Sequence, residues 1–151
     1  MKKGIILEFE RGGTIFAEFL EKEAPKTCKL ILRALPVENK VIHAIWAGEE
    51  IFIGNFTLPE TLEFENETNN VEPGDVACIS SYIKRASTYK KGDTAFCIFY
   101  GKSRPRKGID ETVDVNVFAK IKDIEAITKI GRRIKLEGAE KLSIKPGSSV
   151  G

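Results

Sequence analysis

Apolar and polar residues alternate at the start of the chain. Ile5, Leu7 and Phe9 stand at every second position, which is the period of a strand that buries one face. Residues 11–13, Arg-Gly-Gly, have the composition of a hairpin turn. Residues 14–20 continue the alternation, so the first twenty residues predict a β-hairpin.

Two segments have helical spacing instead. Pro25 suits the first turn of a helix, where its missing N–H needs no partner, and Pro36 ends that helix. Its apolar face is expected to consist of Cys28, Ile31, Leu32 and Leu35. Asp123 is a suitable N-cap for a second short helix, and Gly131 is a suitable C-terminal stop.

Short apolar runs separated by turn residues fill most of the remaining chain. They predict strands at residues 41–46, 51–56, 61–65, 76–81, 95–100 and 113–121, with late strand material at 142–144. The run 95–100 is apolar on both faces, which indicates a central strand that is covered on its outer side. Residues 83–93 are basic and irregular and are expected to form a mobile loop.

This succession of short strands and two helices favours a mainly β fold, a closed β-barrel capped by two helices. With 151 residues, the chain suits one domain. The barrel is expected to occupy residues 1–145, and residues 146–151 are expected to form a flexible C-terminal tail.

Several segments, in order along the chain, resemble cyclophilins. They are Glu23–Thr27 at the start of the first helix, Val41–Ile45, and the pair Thr94–Ile98 and Val117–Ile121. The closer resemblance is to the short, atypical prokaryotic cyclophilin-like proteins, through Trp46–Ile51, Pro73–Val76, Phe99–Ser103 and Val115–Val117. The resemblance implies a cyclophilin-like β-barrel, in a group whose activity is not generally established.

One position departs from the residues that a cyclophilin uses for catalysis. Cyclophilins carry an arginine directly after the strand histidine, and it contacts the substrate proline amide. Such a donor weakens the amide resonance behind the isomerisation barrier of roughly 20 kcal/mol. Here Ala44 follows His43 and has no side-chain donor. The resemblance therefore implies the barrel without the usual isomerase residues.

Composition and charge exclude several other classes of function. The net charge is +2, from 24 basic and 22 acidic residues, so the chain lacks the cationic excess of a nucleic-acid binder. Residues 102–107 are the most basic cluster and are interpreted as a solvated loop. Cys28, Cys78, Cys97 and the single His43 are widely spaced, so neither a disulfide framework nor a metal site is expected.

The start of the chain predicts neither a signal peptide nor a membrane span. Glu8 interrupts the first apolar run after three residues, and both kinds of segment need longer runs. We therefore expect a cytoplasmic protein with no membrane partner. Abundant Lys, Glu and Ile with a single Met favour a thermophilic source.

Six residues at strand ends and on neighbouring loops are candidates for binding a ligand. They are Trp46, Glu49, Tyr82, Arg85, Lys102 and Asn116. Trp46 can form the floor of a groove or part of the core, and such loops often add polar groups to an apolar wall. Glu49 and Glu50 are adjacent, and neighbouring residues of an extended segment point to opposite faces, which disfavours a shared site.

These observations favour a cyclophilin-like protein that binds a small molecule or a short peptide in a groove on the barrel. No catalytic residue and no cofactor is assigned. Two alternatives remain open: a peptidyl-prolyl isomerase with an atypical site, and a protein–protein interaction module that uses the charged loops. The sequence leaves the identity of the ligand and the oligomeric state undetermined.

Overall fold

The computed structural model describes residues 1–80, 92–106 and 111–149. The strands in these residues are β1 (Lys2–Phe9), β2 (Thr14–Phe19), β3 (Val37–His43), β4 (Gly48–Thr57), β5 (Glu67–Thr68), β6 (Asp75–Ile79), β7 (Asp93–Ser103), β8 (Val115–Ile121) and β9 (Glu140–Ser149). The α-helices are α1 (Pro25–Ala34) and α2 (Ile124–Glu137), and a 3-10 turn spans Ile45–Ala47.

Eight of these strands close into an antiparallel barrel. Their order is β2-β1-β9-β3-β4-β7-β6-β8, and β2 pairs with β8 to complete the ring. The short β5 pairs with β8 beyond the closing segment, at Asn116 and Val115. The prediction of a mainly β fold, a closed barrel with two helices, is confirmed.

The main core lies inside this ring and includes both helices. Ile5, Leu7 and Phe9 are buried, as their alternation predicts. Helix α1 contributes Cys28 and Ile31 to the same core, and helix α2 contributes Ile127, Ile130 and Ile134. The predicted face of α1 is wrong at one position, because Leu32 is 40% exposed whereas Leu30 is buried.

The segment 61–65, which the alternation predicts as a strand, is irregular in the structure. A side chain takes the place of a neighbouring strand, because the buried Asn116 amide donates to the Glu63 carbonyl and accepts from the Glu65 amide. The Glu65 carboxylate in turn accepts from the Lys26 and Thr27 amides. It caps α1, whose own N-cap residue makes no side-chain bond.

Helix α2 is longer than predicted, and Gly131 lies inside it rather than at its end. A side chain at Gly131 would meet the Tyr100 ring at 2.3 Å, so glycine is needed there for close packing on β7. Gly138 ends the helix instead, with φ of +97°. No helix in the described residues is long and apolar enough to cross a membrane.

Two predictions near the ends of strands are also wrong. Strand β3 stops at His43, and the chain then turns through Ile45–Ala47, so the predicted strand 41–46 is too long. Strand β9 continues to Ser149 and pairs with β1 from Phe9 to Lys2. Residues 146–149 of the predicted flexible tail are therefore part of the barrel, since β1 supplies their hydrogen bonds, and residues 150–151 lie outside the described ranges.

A buried carboxylate joins the first hairpin to α2 and β9. Glu140 is 3% exposed and accepts from the Arg11 amide at 2.8 Å and the Arg133 Nε at 2.9 Å. Burial acts to raise the pKa of Glu140, but the hydrogen bonds from Arg11 and Arg133 outweigh burial and hold the pKa below its usual value. The pair of arginines therefore compensates for the burial of this charge.

We expect Glu140→Gln to lower the free energy of unfolding by about 2–3 kcal/mol at pH 7, because it removes charge-assisted hydrogen bonds. A carboxylate with a lowered pKa stabilises the fold above its unfolded pKa, and this contribution is lost as the pH falls through its folded pKa. The difference between wild type and variant should therefore shrink in acid, as measured by urea unfolding. Glu125→Gln, whose side chain is 84% exposed, is the control and should change stability little. Equal stability of the Glu140→Gln variant and wild type at pH 7 would contradict this role.

Candidate functional site

The outer face of the barrel carries a second apolar cluster, on strands β4, β7, β6 and β8. Ala77, Ala95 and Cys97 are small residues at its centre, and all three are at most 1% exposed. The larger Phe99 and Val117 belong to the same cluster. The neighbouring inward positions of β7, such as Phe96 and Ile98, belong to the main core. The prediction that this strand is covered on both faces is therefore correct.

An aromatic pair lies at the edge of this cluster. Phe52 of β4 is partly buried against it and pairs in register with Cys97. The Trp46 ring contacts the Phe52 ring edge to face, with centroids 5.9 Å apart. Trp46 is 41% exposed, and its indole N–H donates to the Arg106 carbonyl at 3.0 Å. Ile42, also 40% exposed, is the cross-strand partner of Phe52. These residues form an apolar wall that solvent can reach.

Glu50 lies on the same outer face of β4 as Phe52, two residues earlier. It is 5% exposed, and its carboxyl contacts the Cys97 thiol. Burial raises the pKa of Glu50 from 4.5 to about 8, and the contact with Cys97 opposes this rise slightly. The pKa of Cys97 is raised as well, first by burial and then by Glu50. At neutral pH this site holds a protonated carboxyl beside a protonated thiol.

The neighbouring Glu49 points to the other side of β4, as expected for adjacent strand residues. Its Oε1 accepts from the Lys102 amide at 3.3 Å. Near it, the His43 Nε2 and the Tyr100 hydroxyl are 2.6 Å apart. Burial and the charge of Lys135 lower the pKa of His43, while Glu49 opposes them. Glu49 and Glu50 therefore have separate surroundings.

The His43 ring has one orphaned nitrogen. Its Nδ1 is buried and has no hydrogen-bond partner. Burial and Glu49 raise the pKa of Tyr100, so its hydroxyl keeps its proton at neutral pH. This cluster packs on the Gly131 side of β7, away from the aromatic pair. It fits a hydrogen-bonded core histidine, which the sequence interpretation also favours.

Asn116 does not join the other candidates. It is fully buried, shares its face of β8 with the core residue Phe118, and donates to the Thr27 hydroxyl at 3.2 Å. Together with its bonds to residues 63 and 65, this uses both ends of the amide. Of the remaining candidates, Trp46, Glu49 and Lys102 lie around the start of β4 and the end of β7. Tyr82 and Arg85, with the predicted loop 83–93, lie outside the described residues.

A surface cavity of about 640 Å³ lies elsewhere, between α1 and residues 60–63. Its two walls are joined by ion pairs, Lys26 with Glu63 at 2.7 Å and Arg33 with Glu60. Its other lining residues are mainly polar, and none is aromatic. Small-ligand sites have apolar walls with a few unused polar groups, so this cavity is a weaker candidate than the outer face of β4.

Sequence reasoning identified Trp46 but not the importance of Glu50 and Phe52. A signal for both was present, because Ile51 and Ile53 fit the inward positions of β4 and leave Glu50 and Phe52 facing outwards. The neighbouring strand is apolar on both faces, which implies a covered outer surface next to them. A glutamate at such a position must lose its charge or find a cation.

We expect the stability of the protein to depend on pH through Glu50. The folded state keeps this proton up to about pH 8, whereas the unfolded chain releases it near pH 4.5. Within that window the folded state binds more protons, so the free energy of unfolding falls as the pH rises, by about 1.4 kcal/mol per unit.

Urea unfolding of wild type and Glu50→Gln at pH 5.5, 6.5 and 7.5 isolates this contribution as the difference between the two proteins. The stability of wild type relative to the variant should fall with rising pH, because glutamine is a neutral analogue of the protonated acid. Glu49→Gln, on the opposite face, is the matched control and should keep the wild-type slope. A constant difference between wild type and Glu50→Gln would show that Glu50 has an ordinary pKa.

Comparisons with known proteins place the chain in a family and give its structural neighbours. Residues 7–145 match the family model described as a protein of unknown function, DUF3830. No curated protein matches the chain.

Two solved structures are similar to it. One is McbB in complex with tryptophan, with a TM-score of 0.68 and 15% identity. The match covers 97% of this chain and 46% of McbB, so the chain spans less than half of that protein. The other is the hypothetical protein AF2241 from Archaeoglobus fulgidus, with a TM-score of 0.58, 24% identity and coverage of 95% and 93%. At these identities both likenesses concern the fold alone. From the family match, the chain belongs to the DUF3830 family, whose function is unknown.

Proposed function

We propose that this protein binds a small ligand or a short peptide in a groove on the outer face of the barrel, beside Trp46, Phe52 and Glu50. One observation carries the proposal. A solvent-accessible aromatic pair and a buried carboxyl lie two residues apart on the same face of one strand. The aromatic rings provide an apolar wall, and the carboxyl provides a single polar group that selects what binds there.

The cost of this arrangement supports a role in binding. A glutamate buried without a cation destabilises the fold at neutral pH, and a leucine or methionine of similar volume would not. Titratable groups with strongly shifted pKa values cluster at functional sites. Trp46 and Ile42 also keep about two fifths of their surface exposed, although burial of both would stabilise the fold.

Two likenesses are consistent with this site. The closed eight-stranded barrel is compatible with the cyclophilin-like family that the sequence resembles. McbB, whose fold is similar, has been solved with tryptophan bound. An aromatic amino acid is therefore a reasonable first probe for a site with an aromatic wall and a polar group.

Isomerase chemistry is not part of the proposal. Ala44 follows the strand histidine, is 1% exposed and offers no side-chain donor to a prolyl amide. We therefore expect no acceleration of proline isomerisation in a tetrapeptide, measured by NMR exchange. Clear acceleration would favour the isomerase alternative over simple binding.

We expect a panel of tryptophan, other aromatic metabolites and short peptides to yield at least one ligand that raises the melting temperature, because binding to the folded state stabilises it. Trp46→Ala should weaken that ligand about tenfold in calorimetry, since an aromatic contact with its buried area contributes roughly 1–2 kcal/mol. Leu136→Ala is the control, because Leu136 is 82% exposed on α2. The absence of any ligand across the panel, or equal binding by Trp46→Ala, would contradict the proposed site.

A further inference from the structure

We propose that the ligand of this site is an aromatic amine, whose ring packs on Trp46 and Phe52 while its ammonium group pairs with Glu50. The inference rests on the proposed function and names the chemical class of the ligand. It follows from three features of the outer face: the spacing of its residues, the missing counter-ion of Glu50 and the nature of its aromatic wall.

The spacing suits a ring joined to an amine by a short linker. A strand advances about 3.3 Å per residue, so Glu50 and Phe52 stand about 7 Å apart on one face. The chain from ring to nitrogen in an arylethylamine covers such a distance. Trp46 packs against the Phe52 ring from the side of the 3-10 turn, so the wall is already in place.

The carboxyl of Glu50 lacks a positive partner. Across residues 1–80, 92–106 and 111–149, its recorded contact with a titratable group is the Cys97 thiol of β7. That thiol is fully buried, stays protonated, and has the buried Cys78 as a further neighbour. Neither group can neutralise a carboxylate, whereas an ammonium ion can, because it supplies both the opposite charge and hydrogen-bond donors.

The aromatic wall favours a cation over an anion. The faces of tryptophan and phenylalanine rings attract ammonium groups. An anionic ligand would be repelled by Glu50 whenever the carboxyl ionises, and a neutral ligand would leave the carboxyl in its protonated state. A cation alone makes the ionised form of Glu50 favourable.

Binding should therefore exchange one proton for the ligand. In the free protein the carboxyl carries the proton at neutral pH; in the complex the carboxylate pairs with the ammonium, and the proton passes to solvent. Charge is conserved, because one positive charge enters the site as another leaves. Affinity for the amine should then rise with pH by up to tenfold per unit below about pH 8, where Glu50 releases its proton without help.

Three indoles of similar size and different charge test the inference: tryptamine as the cation, 3-methylindole as the neutral compound and indole-3-propionate as the anion. At pH 7.5 tryptamine should bind at least tenfold more tightly than the other two. Calorimetry at pH 7 in phosphate and in Tris should show close to one proton released per tryptamine, and none for 3-methylindole.

Glu50→Gln should abolish the proton release and the pH dependence for tryptamine, while 3-methylindole keeps its affinity. Glu49→Gln should leave both unchanged. The charge series and the proton count are measured on wild type, so the test stands even where the Glu50 variant fails to fold.

The outcomes separate this inference from the proposed function. Equal binding of tryptamine and 3-methylindole, both weakened by Trp46→Ala, would keep the aromatic site and overturn the assignment of an amine. Tightest binding of indole-3-propionate would overturn it as well, because Glu50 would then act as a neutral donor. Failure of all three indoles, together with the wider panel, would overturn the proposed function itself.

Discussion

The position of β7 between β4 and β6 is the constraint on which the rest of the molecule depends. Closure of the ring gives β7 an inner face, where Phe96 and Ile98 join the main core. Its outer positions, Cys97 and Phe99 among them, are equally buried in a second cluster. A strand that is apolar on both faces needs cover on both. The outer surface of this part of the barrel is therefore an apolar environment rather than a solvated one.

That environment determines the chemistry of β4. The strand places Glu49 and Glu50 on opposite faces, and only the second faces the outer cluster. Glu49 finds a backbone amide and stays partly exposed, whereas Glu50 is desolvated, so its pKa rises. Glu140 shows the contrast within the same fold. It is also buried, but two arginines hydrogen-bond to it and hold its pKa low. The difference between a structural and a candidate functional carboxyl is the presence of a cation.

Much of the fold could be predicted from periodicity, because alternation at residues 5–9 and turn residues at 11–13 are local signals. The errors arose where tertiary contacts override local pattern. Residues 61–65 alternate like a strand, yet the Asn116 side chain takes up their backbone groups. Gly131 resembles a helix stop, yet it admits the Tyr100 ring.

The candidate site was predicted only in part, since exposed Trp46 is a single notable residue in the sequence. The burial of Glu50 depends on strand pairings distant along the chain, such as Glu50 with Phe99. No local pattern records such pairings. The same holds for Asn116, whose place beside α1 follows from bonds to residues far from it in sequence.

The most direct test of this account is the titration of Glu50 itself in the free protein. Carbon-13 NMR of side-chain carboxyl groups, with glutamate labelled, follows each carboxyl through its own transition. The account predicts one glutamate that titrates near pH 8 and whose signal is absent from Glu50→Gln. If every glutamate of the wild-type protein titrates at or below its ordinary pKa, Glu50 is an ionised surface residue and the proposed site loses its basis.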